Sequence, residues 1–187
     1  MWNAKAFDSV CWEYMLEILH RLGLGQRWRD IISLIWSTTS SRILLNGIPG
    51  MAIKHGRGLR PGDPLSPMLF ILAMDTLQRL LDHSTQAGNL TSIGADFIRI
   101  HTSLYADDAA LFIRPTVRDI NNVSNLMRIF GSATRLMTNL QKSELYFIHC
   151  EESCRIEIRN AFSGQVGEFS VEVPWLTSAC RKDKKRR

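Results

Sequence analysis

The sequence has few cysteines and no long apolar run. No stretch of about 20 apolar residues occurs, so no membrane-spanning segment is expected. The four cysteines and the missing secretory signal favour a reduced intracellular protein, nuclear or cytoplasmic and not secreted. The segment HCEESC (149–154) offers soft metal ligands, but no second ligand pair stands at zinc-site spacing, so a structural zinc is not expected.

The sequence also has no internal repeat, and little net charge outside its last residues. With 187 residues and 45% hydrophobic side chains, it can form one domain or a piece of a larger one. The net charge of +5 equals that of the final segment RKDKKRR, which holds six basic residues and one acid. The charge therefore permits a nucleic-acid partner without requiring one.

Apolar periodicity in the first part of the chain predicts two helices and a hairpin. Apolar residues at four-residue spacing predict a helix over residues 6–23, ended by Gly23 and Gly25, and a second helix is expected over about 26–36. The segment SRILLNG (41–47) is typical of a strand ending in an Asn-Gly turn, with MAIKH as its return.

A loop rich in glycine and proline, GRGLRPGDPLSP (56–67), comes next and leads into a third helix. Ser66 suits the N-cap of this helix, and Pro67 suits its first position. The helix has one apolar face. Its members are Leu69, Phe70, Ala73, Met74, Leu77, Leu80 and Leu81.

The segment FIRIHTSLYADDAALFIRP (97–115) predicts two strands joined by a tight turn at Asp107 and Asp108. Thr116 and Asp119 resemble a capping box at the start of another helix. The last predicted strand is ELYFIHC (144–150).

The paired acids at the strand turn raise a functional question. Carboxylates at such a tip stay ionised and are held rigidly, which suits Mg²⁺, an ion that prefers oxygen ligands. Two ions about 3.5–4 Å apart support phosphoryl transfer. Successive strand side chains point to opposite faces, so a further carboxylate from elsewhere is needed. The alternative is that the two acids are ordinary turn residues.

Four segments, in this order and at this spacing, resemble the motifs of the reverse transcriptase domain of non-LTR (LINE-type) retrotransposons, especially those of plants. They are KAFDSV (5–10), LRPGDPLSPMLFILAMD (59–75), LYADDAALF (104–112) and TNLQKSE (138–144). The resemblance extends from residue 5 to about residue 169.

This resemblance implies an α+β fold for residues 1–169. The domain would be a partial right-hand polymerase, a palm with part of the fingers, in which an antiparallel sheet carries the YADD hairpin and is backed by helices. The implied reaction is templated addition of a dNTP to a DNA 3′-hydroxyl. An RNA template, a DNA primer and Mg²⁺ are therefore implied, whereas no membrane partner is expected and the oligomeric state is left open.

The resemblance assigns roles to residues around the paired acids. Asp107 would coordinate the catalytic Mg²⁺ ions, with Asp108 beside it as a supporting ligand. Tyr105 and Ala106 would lie under the primer terminus. Phe7 would close over the sugar of the incoming nucleotide and disfavour a 2′-hydroxyl, although an ordinary core phenylalanine would also fit that position.

The resemblance also implies contacts for the loop and for the fourth motif. Arg60, Gly62, Asp63 and Ser66 would approach the nucleotide and template, with a turn-and-cap role as the alternative for Asp63 and Ser66. Lys142 would lie near the nucleotide phosphates, where it could neutralise pyrophosphate or donate a proton. The alternative for Lys142 is an ordinary surface lysine.

The sequence departs from the family pattern at one metal ligand. The pattern has a metal-binding aspartate three residues before the lysine of KAFD, and Trp2 stands there. Asp8 does not replace it, because the family usually has an aspartate at that position as well. Pro61 stands where the family usually has glutamine. We also expect the upstream part of the fingers, and the strand beside the YADD hairpin, to be missing.

Two alternatives to an inactive polymerase fragment remain open. One is a retained, non-catalytic protein that binds nucleic acid or a ribonucleoprotein. The other is a decayed transposon product without a molecular function. A different metal-dependent phosphohydrolase would leave the ordered polymerase motifs unexplained.

The C-terminal segment suggests a frameshift. The family usually continues with a peptide such as FPLRYLGLPL, whereas this chain reads FSVEVPWLTSA (169–179). One T inserted after the first codon of TTT-CCG-TTG-AGG-TAC-CTT-GGC-TTA-CCT-CTG gives codons for Phe-Ser-Val-Glu-Val-Pro-Trp-Leu-Thr-Ser, followed by the first base of an alanine codon. Residues 170–187 would then be an out-of-frame tail. Its basic run would be accidental, rather than a nuclear-import or nucleic-acid signal.

The genomic DNA tests this hypothesis. We expect that the alternative frame after the Phe169 codon encodes a continuation like YLGLPL. Sequencing of the locus is the measurement. An alternative frame without that continuation would show that the tail is not the result of a single insertion.

Overall fold

The computed structural model describes residues 6–60, 62–93, 102–105, 108–148 and 150–167, with only the backbone at 104 and 105. The helices are α1 (Ala6–Ser9), α2 (Trp12–Arg21), α3 (Gln26–Ser37), α4 (Leu65–Gln86), α5 (Val117–Thr134) and α6 (Glu152–Ala161). The strands are β1 (Ser40–Leu45), β2 (Ile48–Lys54), β3 (Thr102–Tyr105), β4 (Asp108–Leu111), β5 (Glu144–Tyr146) and β6 (Gln165–Gly167). A 3-10 turn covers Leu140–Lys142.

The strands described in the structure form three two-stranded sheets. β1 pairs with β2 and β3 pairs with β4, both antiparallel, whereas β5 and β6 are parallel. The mixture of helices and small sheets agrees with the predicted α+β class. The sheets described are separate pairs, however, rather than one antiparallel sheet.

The long helix α4 lies at the centre of the core. Its side chains Ala73 and Leu77 are fully buried, and α4 packs against both α2 and α5. From α2, Met15 and Leu19 join the same core. The predicted apolar face of α4 is buried as expected, apart from Leu80, which is partly buried.

A polar contact also joins α2 to α4. The Tyr14 hydroxyl bonds to the Thr76 hydroxyl, and burial raises the pKa of Tyr14 above its ordinary value. This contact fixes how α2 lies along the middle of α4.

The prediction of one helix over residues 6–23 is wrong. The backbone is extended at Cys11 (φ −72°, ψ 125°), which separates α1 from α2. The Val10 carbonyl accepts a hydrogen bond from the Gly58 N–H (2.8 Å), and the Cys11 N–H donates to the Thr134 carbonyl (3.0 Å). These bonds to distant segments replace the bonds that would continue the helix.

The predicted helix over 26–36 and the predicted Asn-Gly hairpin are confirmed. Asn46 and Gly47 have positive φ angles (51° and 82°), as the favoured two-residue hairpin turn requires. Every residue of β1 and β2 is exposed, including large apolar side chains. The hairpin therefore contributes little to the core described here.

Ser66 is not the N-cap of α4, which begins at Leu65. The Asp63 carboxylate accepts a hydrogen bond from the Leu65 N–H (2.9 Å) and so caps the first turn of the helix. The Ser66 hydroxyl instead donates to the Arg60 carbonyl (2.7 Å). Pro67 is the third helical residue, where the missing N–H still costs little because N–H groups of the first turn have no partner within the helix.

The helix predicted after Thr116 is present as α5, but only half of its capping box forms. The Thr116 hydroxyl accepts a hydrogen bond from the Asp119 N–H (3.1 Å). The Thr116 N–H donates to the Arg114 carbonyl (2.8 Å), whereas the Asp119 carboxylate accepts from the Thr91 N–H (3.3 Å). The Asp119 side chain therefore joins a loop rather than closing the box.

The predicted strand over 144–150 is shorter than expected, because β5 ends at Tyr146. Neither α6 nor β6 was predicted from the sequence. Parallel strands need a long crossover connection, and α6 supplies it between β5 and β6. The boundary proposed at residues 169 and 170 lies outside the described part of the chain.

Two backbone hydrogen bonds fix the loop after β2 against the start of the chain. The Leu59 N–H donates to the Phe7 carbonyl (2.6 Å), and the Gly58 N–H donates to the Val10 carbonyl (2.8 Å). The Trp12 indole N–H donates to the Gly58 carbonyl (2.7 Å). Gly58 has a φ of +90°, and a Cβ there would lie 2.6 Å from the Asp8 carbonyl oxygen. Only glycine fits this junction.

We therefore expect Gly58→Ala to lower the free energy of unfolding by about 2–3 kcal/mol, through backbone strain and the clash with Asp8. Gly56→Ala is the control, because a Cβ at Gly56 meets nothing within 4 Å. Chemical denaturation of the purified variants measures the difference. Equal stability of the two variants would show that the junction does not constrain the fold.

Candidate functional site

A cavity of about 440 Å³ lies between α3, the β1–β2 hairpin and the loop that precedes α4. Three of the predicted nucleotide or template residues line it, namely Arg60, Asp63 and Ser66. Asp8, which follows Phe7 in the first motif, also lines the cavity. The structure thus brings the first and second motifs to one place.

The loop residues are held by contacts within the loop and with α4. The Ser66 side chain is buried (4% exposed) and donates to the Arg60 carbonyl. The Asp63 carboxylate accepts from the Leu65 N–H. Both contacts are those of a turn and cap, and they fix the backbone from which the exposed Arg60 side chain projects. Gly62 is exposed with a φ of +85° and does not line the cavity.

Further polar residues of this cavity were not identified from the sequence. His55 and Arg57 line it, and the His55 ring bonds to the Ser41 hydroxyl (2.7 Å) across the hairpin. No local signal could have found these residues. Their place in the site depends on how the hairpin and α3 pack against the loop.

Phe7 packs against α4 rather than lining this cavity. Its ring stacks on the ring of Phe70, with centroids 4.5 Å apart and planes 17° apart. Phe7 is half-buried. The stacking fixes the ring next to the junction at Leu59, whose N–H bonds to the Phe7 carbonyl.

The predicted catalytic residues are described only in part. Asp108 is the first residue of β4, is exposed, and pairs with Tyr105 in the register of the β3–β4 pair. Lys142 is exposed at the end of the 3-10 turn. Neither residue lines the cavity. Ala106, Asp107 and Trp2 lie outside the described residues, and only the backbone of Tyr105 is described.

The carboxylates in the described part of the chain do not assemble a metal site. No group of three or more His, Cys, Asp or Glu residues within it could hold a metal ion. Asp8 and Asp63 line the cavity, whereas Asp108 does not. The donors seen here therefore do not fit a complete Mg²⁺ site.

The cysteines near the fourth motif have local partners. The Cys154 thiol donates to the Pro115 carbonyl (2.8 Å), and burial raises the pKa of Cys154. The Cys150 thiol donates to the Ile148 carbonyl (3.5 Å). Within the residues that the structure covers, no helix is both long and apolar enough to cross a bilayer.

Comparison with known proteins gives a family match over nearly the whole chain. The model for reverse transcriptase (RNA-dependent DNA polymerase) matches residues 3–177. This family is one of nucleotidyltransferases that act on a nucleic-acid template with dNTP substrates.

Several retrotransposon proteins are similar in sequence. The Pol polyprotein of the type-1 element R2 from Nasonia vitripennis is 37% identical over 107 residues, which are 57% of this chain and 10% of that protein. The Pol polyprotein of the type-2 element R2DM from Drosophila melanogaster is 31% identical over 175 residues, 92% of this chain and 16% of that protein.

An uncharacterized mitochondrial protein of Arabidopsis thaliana is 35% identical over 111 residues, 56% of this chain and 87% of that protein. The chain thus spans a small part of the R2 proteins and most of this shorter relative. By the family match and these retrotransposon relatives, the chain belongs to the reverse transcriptase family and is a domain fragment of the non-LTR type.

Proposed function

We propose that this chain is a reverse transcriptase fragment that keeps the surface for template and nucleotide but does not polymerise DNA. The observation that carries the proposal is the presence of all four motifs in order with Trp2 at the position of a metal-binding aspartate. The family reaction, templated addition of a dNTP to a DNA 3′-hydroxyl, is proposed as the ancestral activity.

The proposed architecture is a palm with part of the fingers, and its YADD hairpin is the β3–β4 pair. The pairing of Tyr105 with Asp108 supports this proposal, because it leaves Ala106 and Asp107 as the two-residue connection of the hairpin. Asp107 would be the metal ligand at that connection, with Asp108 beside it. Tyr105 and Ala106 would support the primer terminus.

The nucleotide side of the site would be formed by the first two motifs. The stacked ring of Phe7 is proposed to face the sugar of the incoming nucleotide. Arg60 would contact nucleotide or template phosphate, while Gly62, Asp63 and Ser66 shape the loop that carries it. Lys142 is proposed to approach the nucleotide phosphates, which its exposure at the end of the 3-10 turn permits.

Mg²⁺, when bound by such a site, would supply the positive charge that stabilises phosphoryl transfer. The described carboxylates do not form such a set, and the first-motif aspartate is replaced by Trp2. Loss of one metal ligand removes part of the charge that holds the ions, and losses of that kind cost orders of magnitude in rate. We therefore propose that Mg²⁺ binding by this chain is weak.

A second candidate is a non-catalytic protein that binds nucleic acid. Arg57 and Arg60 line the cavity and offer guanidinium donors for phosphate, while Asp8 and Asp63 leave the lining without net positive charge. Binding of a primer–template that weakens with salt, without extension, would identify this function.

Either function is consistent with an intracellular protein in the nucleus or cytoplasm, as proposed from the cysteine content. A decayed product would show neither extension nor binding.

Primer extension tests the main proposal. With an RNA template, a DNA primer, dNTPs and Mg²⁺, we expect no product from the unmodified chain above the protein-free background. Trp2→Asp restores the missing carboxylate and should give product at about ten times that background or more. Trp2→Asn is the matched control, because an asparagine side chain has the shape of aspartate without its negative charge.

An active reverse transcriptase in the same buffer shows that the assay works. Robust extension by the unmodified chain would contradict the proposed inactivity. Extension by Trp2→Asn equal to that by Trp2→Asp would show that the carboxylate is not what the chain lacks.

A further inference from the structure

The two chain segments that flank the β3–β4 pair are bound to each other. Four side chains after β4 make hydrogen bonds to the backbone of the loop between α4 and β3. We call this set the clasp. Its contacts are Arg114 Nε to the Ser92 carbonyl (3.2 Å), Arg118 Nη2 to the Gly88 carbonyl (2.7 Å), the Thr91 N–H to Asp119 Oδ2 (3.3 Å) and Asn122 Nδ2 to the Asn89 carbonyl (2.6 Å).

We propose that Asp119 is a positioning residue that fixes the β3–β4 pair through this clasp. The pair carries Asp108 at the start of β4, so the orientation of the pair sets the direction of this acid. The importance of Asp108 rests on the proposed function. The positioning itself rests on contacts within the described structure.

Asp119 is the buried centre of the clasp. Asp119 is 1% exposed. Leu90, which precedes the bonded Thr91 in the loop, is 4% exposed. Burying a carboxylate costs free energy unless other groups stabilise it. At the third position of α5, Asp119 gains some stabilisation from the positive end of the helix dipole.

Only one oxygen of this carboxylate is bonded within the described residues. Oδ2 accepts from the Thr91 N–H, whereas Oδ1 has no hydrogen-bond partner there. An apolar side chain could fill the same space without the desolvation penalty of a carboxylate. It could not, however, accept a hydrogen bond from the loop backbone. The contact with Thr91 is therefore the feature that needs an acidic or amide side chain.

The clasp begins immediately where α4 ends. Gly88 has a φ of +74°, which turns the chain out of the helix, and the Asn89 N–H still bonds to the Ser84 carbonyl (2.9 Å). Arg118 and Asn122 then bind the carbonyls of Gly88 and Asn89. The clasp thus holds the loop from Gly88, two residues after the end of α4.

The strands have a second anchor on α4. The Thr102 hydroxyl donates to the Gln78 side-chain oxygen, and the Gln78 amide donates to Asp82 (2.8 Å). Ala109 of β4 is buried in the core. β3 is therefore joined directly to α4, and the segment that follows β4 is joined by the clasp to the loop that follows α4.

Hydrogen–deuterium exchange of the whole chain tests the proposal. In Asp119→Ala, the amides of residues 102–111 should exchange about tenfold faster, while those of α2 and the middle of α4 keep their rates. Asp119→Asn keeps an oxygen acceptor for the Thr91 N–H and should restore most of the protection. Asp75→Ala is the matched control, because Asp75 is a partly exposed helical aspartate paired only with Arg79 in the contacts described.

Exchange in Asp119→Ala that matches the unmodified chain at residues 102–111 would overturn the proposal. A uniform increase over α2 and α4 would also overturn it, because Asp119 would then act on overall stability alone. Failure of Asp119→Asn to restore protection would contradict the role of the acceptor. If Asp119→Ala does not fold, Arg118→Ala removes an exposed clasp contact and should still raise exchange at 102–111 by about threefold.

Because exchange does not depend on catalysis, this proposal and the proposed function fail separately. Faster exchange at residues 102–111 supports the positioning role even if Trp2→Asp makes no product. Product from Trp2→Asp with unchanged exchange in Asp119→Ala supports the function and excludes the positioning role.

Discussion

The fold depends on the junction at which residues 58 and 59 bond to the backbone of residues 7 and 10. These bonds join the first polymerase motif to the loop of the second, although the two are about 50 residues apart in the sequence. They divide the first helical segment at Cys11 and place Asp8 beside the cavity. The close approach to Asp8 excludes any side chain at position 58, so the junction requires glycine there.

The helix α4 extends this constraint to the rest of the molecule. Phe7 stacks on its first half, and Thr102 of β3 bonds to Gln78 in its second half. The clasp around Asp119 then ties the loop after α4 to the start of α5. The first, second and third motifs are therefore supported by one helix.

Local signals in the sequence predicted the elements that depend on local chemistry. The Asn46–Gly47 turn, the apolar face of α4 and the N-cap at Thr116 follow from residue type and spacing. Features that depend on distant partners were missed or wrong. The break at Cys11 needs Gly58 and Thr134, the Ser66 hydroxyl turns to Arg60, and β6 is a strand only because β5 lies beside it. Among the residues that line the cavity, Arg60, Asp63 and Ser66 belong to a predicted motif, whereas the place of His55 and Arg57 depends on how the hairpin packs.

The central claim is that the chain keeps the family's motif order while its metal-binding set is incomplete at Trp2. A titration with Mn²⁺, followed by the electron paramagnetic resonance signal of the free ion, measures that set without requiring catalysis. We predict weak binding by the unmodified chain and binding at least about tenfold tighter, or 1.4 kcal/mol, by Trp2→Asp. Tight binding by the unmodified chain that Trp2→Asp does not improve would contradict the account.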